Sequence, residues 1–378
     1  QAKANYKLII MKKILSIWFK QYDKVLDGGS QENTRCLNAL YRAVGKENVD
    51  SMFIHPLGEK KSFADLLANI FNFIHDMHNG IRPSHIKYII EAAPRYECVF
   101  LGTSLFGIIA KALKESGYKG RIITHFHNIE SVYYNAYLPK WLPGRSIVIN
   151  CAAHNDLMSC RSSDIITVLT KRDYDFLEKN YGRKADMILP IAFDDKLNSE
   201  EERNLCNKTE KTSKTPRCVF IGSNFPPNAE GLMWFVREVL PYVDIELCVV
   251  GKNMDLLQKN EKELSKIEVH SSVPDLKPYI LNADFIILPI FKGSGMKVKT
   301  CESLMFGRNI LATNEAVVGY NIEMSKAGAL CNTAEEFIKA LQLFHNNQVP
   351  KFNKYNRQIF LDNYSTASTD RLFKKLLY

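Results

Sequence analysis

The sequence predicts an α/β protein built from two Rossmann-like domains, each a parallel sheet flanked by helices, facing each other across a cleft. Three observations predict it. Short apolar runs alternate with helix-length segments; the alternation stops over a charged stretch and then restarts; and glycine-rich turns follow strands in both halves. Strands buried on both faces read as near-continuous apolar runs, and strand–helix alternation implies right-handed βαβ units. At roughly 150 residues per domain, a chain of 378 residues agrees with two domains, each long enough for its own core.

The elements follow in order. Met11-Lys12-Lys13 reads as a natural start, with Gln1 to Ile10 extraneous, and Ile14-Leu15-Ser16-Ile17-Trp18-Phe19 as the first buried strand. The turn Asp27-Gly28-Gly29-Ser30 then leads into a helix from about Glu32 to Val44. Ser51 to Ile54, Cys98 to Leu101, Ile122 to Thr124, Ile165 to Leu169 and Met187 to Leu189 read as further strands, giving an N-terminal acceptor-side domain over 11–195. Lys196 to Pro216 is polar and without apolar periodicity, which marks 196–216 as a connection between domains. Strands at Cys218 to Ile221, Leu247 to Val250, Ile267 to Val269, Phe285 to Leu288 and Ile310 to Ala312 build a C-terminal domain over 217–350. Residues 351–378 read as two helices that pack back toward the N-terminal domain, the last with Leu372, Phe373, Leu376 and Leu377 on its apolar side.

Composition sets limits on function. With 46% apolar and 24% charged residues the chain is globular rather than disordered. No run approaches the ~18 apolar residues of a spanning helix, and Leu8 to Ile10 is too short for a secretory segment, so the expected location is cytoplasmic. Nine cysteines, an odd number with no Cys-x-x-Cys and most of them set in apolar runs, predict neither disulfides nor structural zinc. The formal charge of +9 favours anionic partners, namely phosphorylated ligands, an anionic membrane surface or nucleic acid, against the commoner alternative of a moderately basic solvated surface. Nucleic acid is set aside, because there is no dense Lys/Arg block, recognition-helix pattern or ring-stacking motif.

The run Phe291-Lys292-Gly293-Ser294-Gly295-Met296-Lys297-Val298-Lys299-Thr300-Cys301-Glu302 follows directly on a strand. A glycine-rich turn opening a helix presents backbone N–H groups and a positive dipole end to a phosphate. Val298, Cys301 and Met305 fall on an inward stripe, which leaves Lys299 and Glu302 on its flank. Glu302 then offers two acceptor oxygens to the hydroxyls of a ribose, and Lys297 and Lys299 face a diphosphate. An ordinary strand–turn–helix with solvated lysines fits these residues equally well. Gly222 and Ser223, in the turn Ile221 to Asn228, allow a second close backbone approach, with Asn228 as the expected N-cap of the next helix. Gly28 and Gly29 supply a third such turn in the other half.

Taken in order, these stretches resemble the retaining glycosyltransferases of family four, which have the two-domain GT-B fold. The resemblance runs from about Met11 to the C-terminus. Its most specific part is Phe220-Ile221-Gly222-Ser223 through Pro226-Pro227-Asn228-Ala229-Glu230-Gly231-Leu232 and Trp234-Phe235-Val236, continued by Val273-Pro274-Asp275-Leu276, Ala283-Asp284, Leu288-Pro289 and Gly293 to Glu302. Gly28-Gly29, His127-Asn128 and Leu189 to Asp194 are weaker landmarks.

The resemblance implies transfer of a sugar from a nucleoside-diphosphate sugar to a saccharide or lipid-linked saccharide acceptor, with retention, in cell-surface polysaccharide or glycoconjugate synthesis. It places Glu302 on the donor ribose, Gly293 to Lys299 (with Ser294, Gly295, Met296 and Lys297) around the diphosphate, Val273 and Asp275 by the base, Gly28 and Gly29 opposite the donor, and His127 beside the transferred sugar. In many members a glutamate stands where this chain has Ser294, which bears on sugar-ring contacts. The cationic pair many members place on the diphosphate has no clear counterpart, so Lys297, Lys299 and Lys252 are its substitutes.

No cofactor and no metal are expected. Asp173-Tyr174-Asp175 has metal-binding Asp-x-Asp spacing, but it opens a helix, where acids favour the dipole. His125 and His127 have no third ligand at zinc spacing. The alternatives to a transferase are a non-catalytic partner subunit of the same fold and a nucleotide-sugar epimerase. Arg371, Lys374 and Lys375 offer peripheral contact with an anionic membrane at its inner face, against the alternative of a solvated helix.

Overall fold

The computed structural model describes residues 13–20, 28–55, 63–78, 80–208 and 210–378. The expected start at Met11 and the turn residue Asp27 lie outside them. The chain divides into two compact units, 1–189 with 370–378, and 190–369.

The first unit holds one sheet of β1 (Ile14–Phe19), β2 (Val49–Ile54), β3 (Cys98–Leu101), β4 (Arg121–Phe126), β5 (Ile165–Val168) and β6 (Met187–Ile188). The order is β2-β1-β3-β4-β5-β6, with every pairing parallel. Alternate residues of β1 feed opposite cores, as the period of two in a strand requires. Ile14 and Trp18 pack with Leu40, Phe100 and Ile123, joined by Phe373, Leu376 and Leu377 of the final helix. Leu15 and Ile17 pack with Val99, Leu101, Ile109 and Leu113 on the other face. Of the tail 351–378, only 370–378 belongs to this unit, through the apolar side of the final helix; 351–369, expected to pack with it, belongs to the other unit. Arg371, Lys374 and Lys375 lie on the exposed side of the final helix.

The second unit contains β7 (Arg217–Ile221), β8 (Glu246–Gly251), β9 (Glu268–Ser271), β10 (Phe285–Leu288), β11 (Asn309–Ala312) and β12 (Gly328–Leu330) in the order β12-β11-β10-β7-β8-β9. Its pairings are also parallel, so the carboxyl ends of all six strands share one edge. The order reverses between β7 and β10. In open parallel sheets, ligands bind at the strand ends of such a switch point, because the outgoing turns diverge there and leave a crevice.

Lys196 to Pro216, expected as a structureless connection, carries the helix Ser199–Asn207. Asn198 accepts from Glu200 N and Glu201 N, and Glu201 reciprocates to Asn198 N, a capping box that satisfies orphan donors at both positions. The segment is tied down at long range: the buried Arg357 guanidinium reaches Asp195 at 2.5 Å and Glu202 at 2.8 Å. The tail also differs in detail, with a π-helical turn, Phe360–Tyr364, between the helices Lys354–Ile359 and Thr366–Leu377.

Candidate functional site

The turn after β10 runs from Pro289 to Lys297 and feeds the helix Val298–Met305. Gly295 has φ +62°, a left-handed backbone that a side chain disfavours, and it lets the chain reverse before the helix begins. Thr300, Cys301, Ser303, Leu304 and Met305 are buried and fix the helix's rotation, while Val298, expected on the inward stripe, is half-buried. Lys299 and Glu302 are therefore left half-buried on the flank. Gly293 and Ser294 are half-buried at the turn.

Lys299 reaches from this helix to the turn after β7. Its Nζ lies 2.5 Å from Asn228 Oδ1 and 5.3 Å above the centre of the Phe220 ring. A Cβ at Gly222 would stand 2.9 Å from Phe220 Cε1 and 3.2 Å from Lys299 Nζ, so glycine keeps this space open. The ammonium thus occupies the β7/β10 switch point. Burial, with help from neighbouring Lys297 and against the pull of Glu302, pushes its pKa down to about 7. A cation held in so poor a solvent gains more than usual from an arriving anion.

Lys297 is placed differently from expectation. Its Nζ binds Glu315 Oε1 at 2.7 Å and Gly295 O at 2.9 Å, and its carbonyl accepts the Tyr320 hydroxyl at 2.7 Å. It braces the turn from within. Asn228, expected as an N-cap, is not one: the cap is Phe225, and Pro226 and Pro227 take the first helical positions, where a missing N–H costs nothing. The Asn228 amide instead donates to Ser223 O at 3.0 Å while its oxygen holds Lys299.

The other candidates lie along the same carboxyl edge. Ser223 is half-buried after β7, Lys252 is exposed after β8, and Val273 and Asp275 follow β9. Asp275 Oδ1 accepts from Lys277 N at 3.0 Å, one residue before Leu276, the N-cap of the helix Lys277–Asn282. Glu315, Tyr320 and Gly251 have no place in the site expected from sequence, and Phe220 is expected only as part of a strand and the family stretch. A Cβ on Gly251 would lie 1.7 Å from Gly222 O, so β7 and β8 approach closely where the turn leaves the sheet.

In the first unit, Gly28 and Gly29 open the helix Gly28–Val44. His127 follows β4, with Nε2 3.1 Å from Glu130 Oε1. Burial opposes protonation of this imidazole, but the Glu130 carboxylate, with Glu32 behind it, outweighs burial and raises the pKa. His125 is wholly buried against Thr167 Oγ1 at 2.8 Å, and burial lowers its pKa to about 3, which keeps it neutral.

Asp173 accepts from the Thr170 hydroxyl at 2.6 Å, and Asp175 pairs with Lys171, so both acids of the Asp-x-Asp are engaged within their helix. Cys248, Glu268 and His270 bring possible ligand atoms within 4.8 Å of one another. Arg217 holds Glu268 at 2.6 Å, and burial pushes the Cys248 thiol up to about 11. Among the described residues no helix is long and apolar enough to cross a membrane.

Residues 215–347, which contain the β7/β10 switch point, match the family model described as Glycosyl transferases group 1. No curated protein matches the chain. Among solved structures, the chain is similar to Anabaena HepE in complex with UDP, at TM-score 0.66 and 11% identity over 97% of this chain and 99% of that one. It is also similar to the sucrose-phosphate synthase of Thermosynechococcus elongatus, at TM-score 0.68 and 12% identity over 97% and 98%. A glycosyltransferase of Rickettsia africae gives TM-score 0.62 and 14% identity over 97% and 98%. At these identities the likeness is one of fold, and the fold is GT-B.

Proposed function

We propose that this chain, in which residues 215–347 are a group 1 glycosyltransferase domain on a GT-B fold, transfers a sugar from a nucleoside-diphosphate sugar to a hydroxyl acceptor. The observation that carries the reading is the position of Lys299. Its ammonium stands at the switch point, between the turn at Gly222 and the turn Gly293 to Lys297, with Glu302 following on the same helix. Backbone amides of a glycine turn and one poorly solvated cation suit a diphosphate, whose charge grows as the bond from its oxygen to the anomeric carbon breaks. Glu302 accepts from ribose hydroxyls. HepE is solved with UDP and with UDP-glucose, which makes UDP-glucose the first donor to try.

The transfer is metal-independent in this reading, since Lys299 and the turn amides take the role that a divalent ion plays elsewhere, and the product keeps the donor's anomeric configuration. His127, paired with Glu130, and Gly28 and Gly29 at the start of their helix are the first-unit residues that the family resemblance assigns to the sugar and the donor. The acceptor is a saccharide or lipid-linked saccharide of cell-surface polysaccharide or glycoconjugate synthesis, met in the cytoplasm or at the inner membrane face. The test incubates the protein and UDP-sugars with and without saccharide acceptors, in chelator, and follows UDP release and product configuration. Acceptor-dependent UDP release with retention supports the reading. Donor isomerisation without acceptor would assign an epimerase instead, and binding without turnover would assign a partner subunit.

A further inference from the structure

A pocket of about 280 Å³ opens beside the diphosphate turn but on another face of the helix Pro226–Glu238. Its lining is Pro227, Glu230, Gly231, Trp234, Phe291 and Lys292. Trp234 is six residues beyond Asn228, about 120° round the helix from it, so the pocket and the Lys299 ammonium are separate places. Two aromatic rings form its walls, Trp234 and Phe291, crossing at 75° with centroids 4.6 Å apart. Phe291 is 41% exposed. An ion pair lines it as well: Lys292 Nζ reaches Glu230 Oε2 at 2.8 Å, both side chains largely in solvent. At Gly231 a Cβ would lie 1.8 Å from Pro289 O, so glycine brings this helix directly against the turn that begins the site.

We infer that this pocket is a saccharide subsite that takes a neutral pyranoside ring. A pyranose has apolar C–H faces, which suit the aromatic walls, and a rim of hydroxyls, which need donors and acceptors at once. Lys292 offers three donors and Glu230 two acceptor oxygens at that rim. An alkyl chain would use the walls and leave the ion pair without purpose, and an anion would meet Glu230. The volume falls just below the small-ligand range, which starts at ~300 Å³, and suits a single compact ring. Phe291 and Lys292 immediately precede Gly293, so a ring seated here orders the same turn that cradles the diphosphate. That the ring belongs to a substrate of the transfer rests on the transfer reading; the binding of a sugar does not.

The full chain is titrated with methyl glycosides of glucose, galactose, mannose and N-acetylglucosamine and with their disaccharides, by saturation-transfer NMR and calorimetry, and separately with UDP. Saturable glycoside binding is expected in the wild type and in Lys299→Ala, weakened by about tenfold in Phe291→Ala, with UDP binding retained in Phe291→Ala. Glu230→Gln, at an exposed position that leaves the core untouched, weakens the glycoside and spares UDP. Glycoside binding with no UDP binding defeats the transfer reading and leaves the subsite standing. The subsite is overturned if no glycoside of the panel binds, if Phe291→Ala and Glu230→Gln leave binding unchanged, or if a short alkyl glucoside binds only through its chain.

Discussion

Lys299 Nζ and Asn228 Oδ1 are 2.5 Å apart, although the residues are 71 positions apart in sequence. The contact fixes a cation of the helix after β10 against the helix after β7, at the point where the strand order reverses. The Phe220 ring below and Gly222 alongside complete the seat.

The pKa of about 7 at Lys299 predicts a pH dependence with a definite sign. An arriving diphosphate favours the charged lysine, so UDP binding takes up a proton above pH 7 and affinity falls as pH rises through the free-site value. Calorimetry in buffers of different ionisation enthalpy measures the uptake; identical heats at pH 8 would contradict it. Stability of the ligand-free protein runs the other way. The unfolded lysine, with its pKa near ~10.4, binds more protons than the folded one between there and 7, so Lys299 costs stability below pH 7 and recovers it as pH rises across that window. Lys299→Met should therefore stabilise the free protein at pH 6 and hardly change it at pH 10, read by urea unfolding.

Glu302→Ala removes the proposed ribose acceptor. Hydrogen bonds to a charged group contribute about 1.5–3 kcal/mol, so UDP affinity should fall about 10- to 100-fold, with affinity for inorganic diphosphate unchanged. Equal losses for both ligands would place Glu302 on the phosphates.

Gly251→Ala brings a methyl to 1.7 Å from Gly222 O, a backbone atom that cannot swing away. Overpacking of this kind costs about 1–3 kcal/mol, and the displaced turn should also lower UDP affinity. A melting temperature and an affinity both equal to wild type would show that the approach of β7 and β8 does not shape the site.

Arg357→Met leaves Asp195 and Glu202 facing a removed cation, and Arg357 is itself 3% exposed. Breaking such a pair costs about 3 kcal/mol, at the lower end because both carboxylates keep contact with water. Chemical denaturation reads this; a loss below about 0.5 kcal/mol, the scale of an exposed pair, would show that the 195–207 segment is not anchored there.

What sequence made legible was what has a local signal. β1, β3, β7, β8 and β10 are continuous apolar runs because helices cover both faces of each sheet. β12 escaped notice because Gly328-Ala329-Leu330 is a short edge strand of low β-propensity that opens with φ +149°. The helix Ser199–Asn207 lacks an apolar face, and its anchor, Arg357, is remote in sequence; its Asn198/Glu201 capping box was the one local mark. In the site, the Gly293 to Glu302 run announced a turn and a helix; Cys301 and Met305 of the expected stripe are buried, Val298 is half-buried, and Thr300, Ser303 and Leu304 share the burial instead. The division of labour between the two lysines was not legible. Lys297 is claimed by Glu315, 18 positions away, and Lys299 by Asn228, and pairings at such separations leave no periodic trace.

Calorimetric titration of UDP into the wild type and Lys299→Ala tests the central claim most directly, because it asks whether the switch-point cation holds a diphosphate. The account predicts saturable binding to the wild type and a loss of about 10-fold or more in the variant, the weight of one charge-assisted hydrogen bond. Binding of equal strength to both proteins, or none to the wild type, would contradict it.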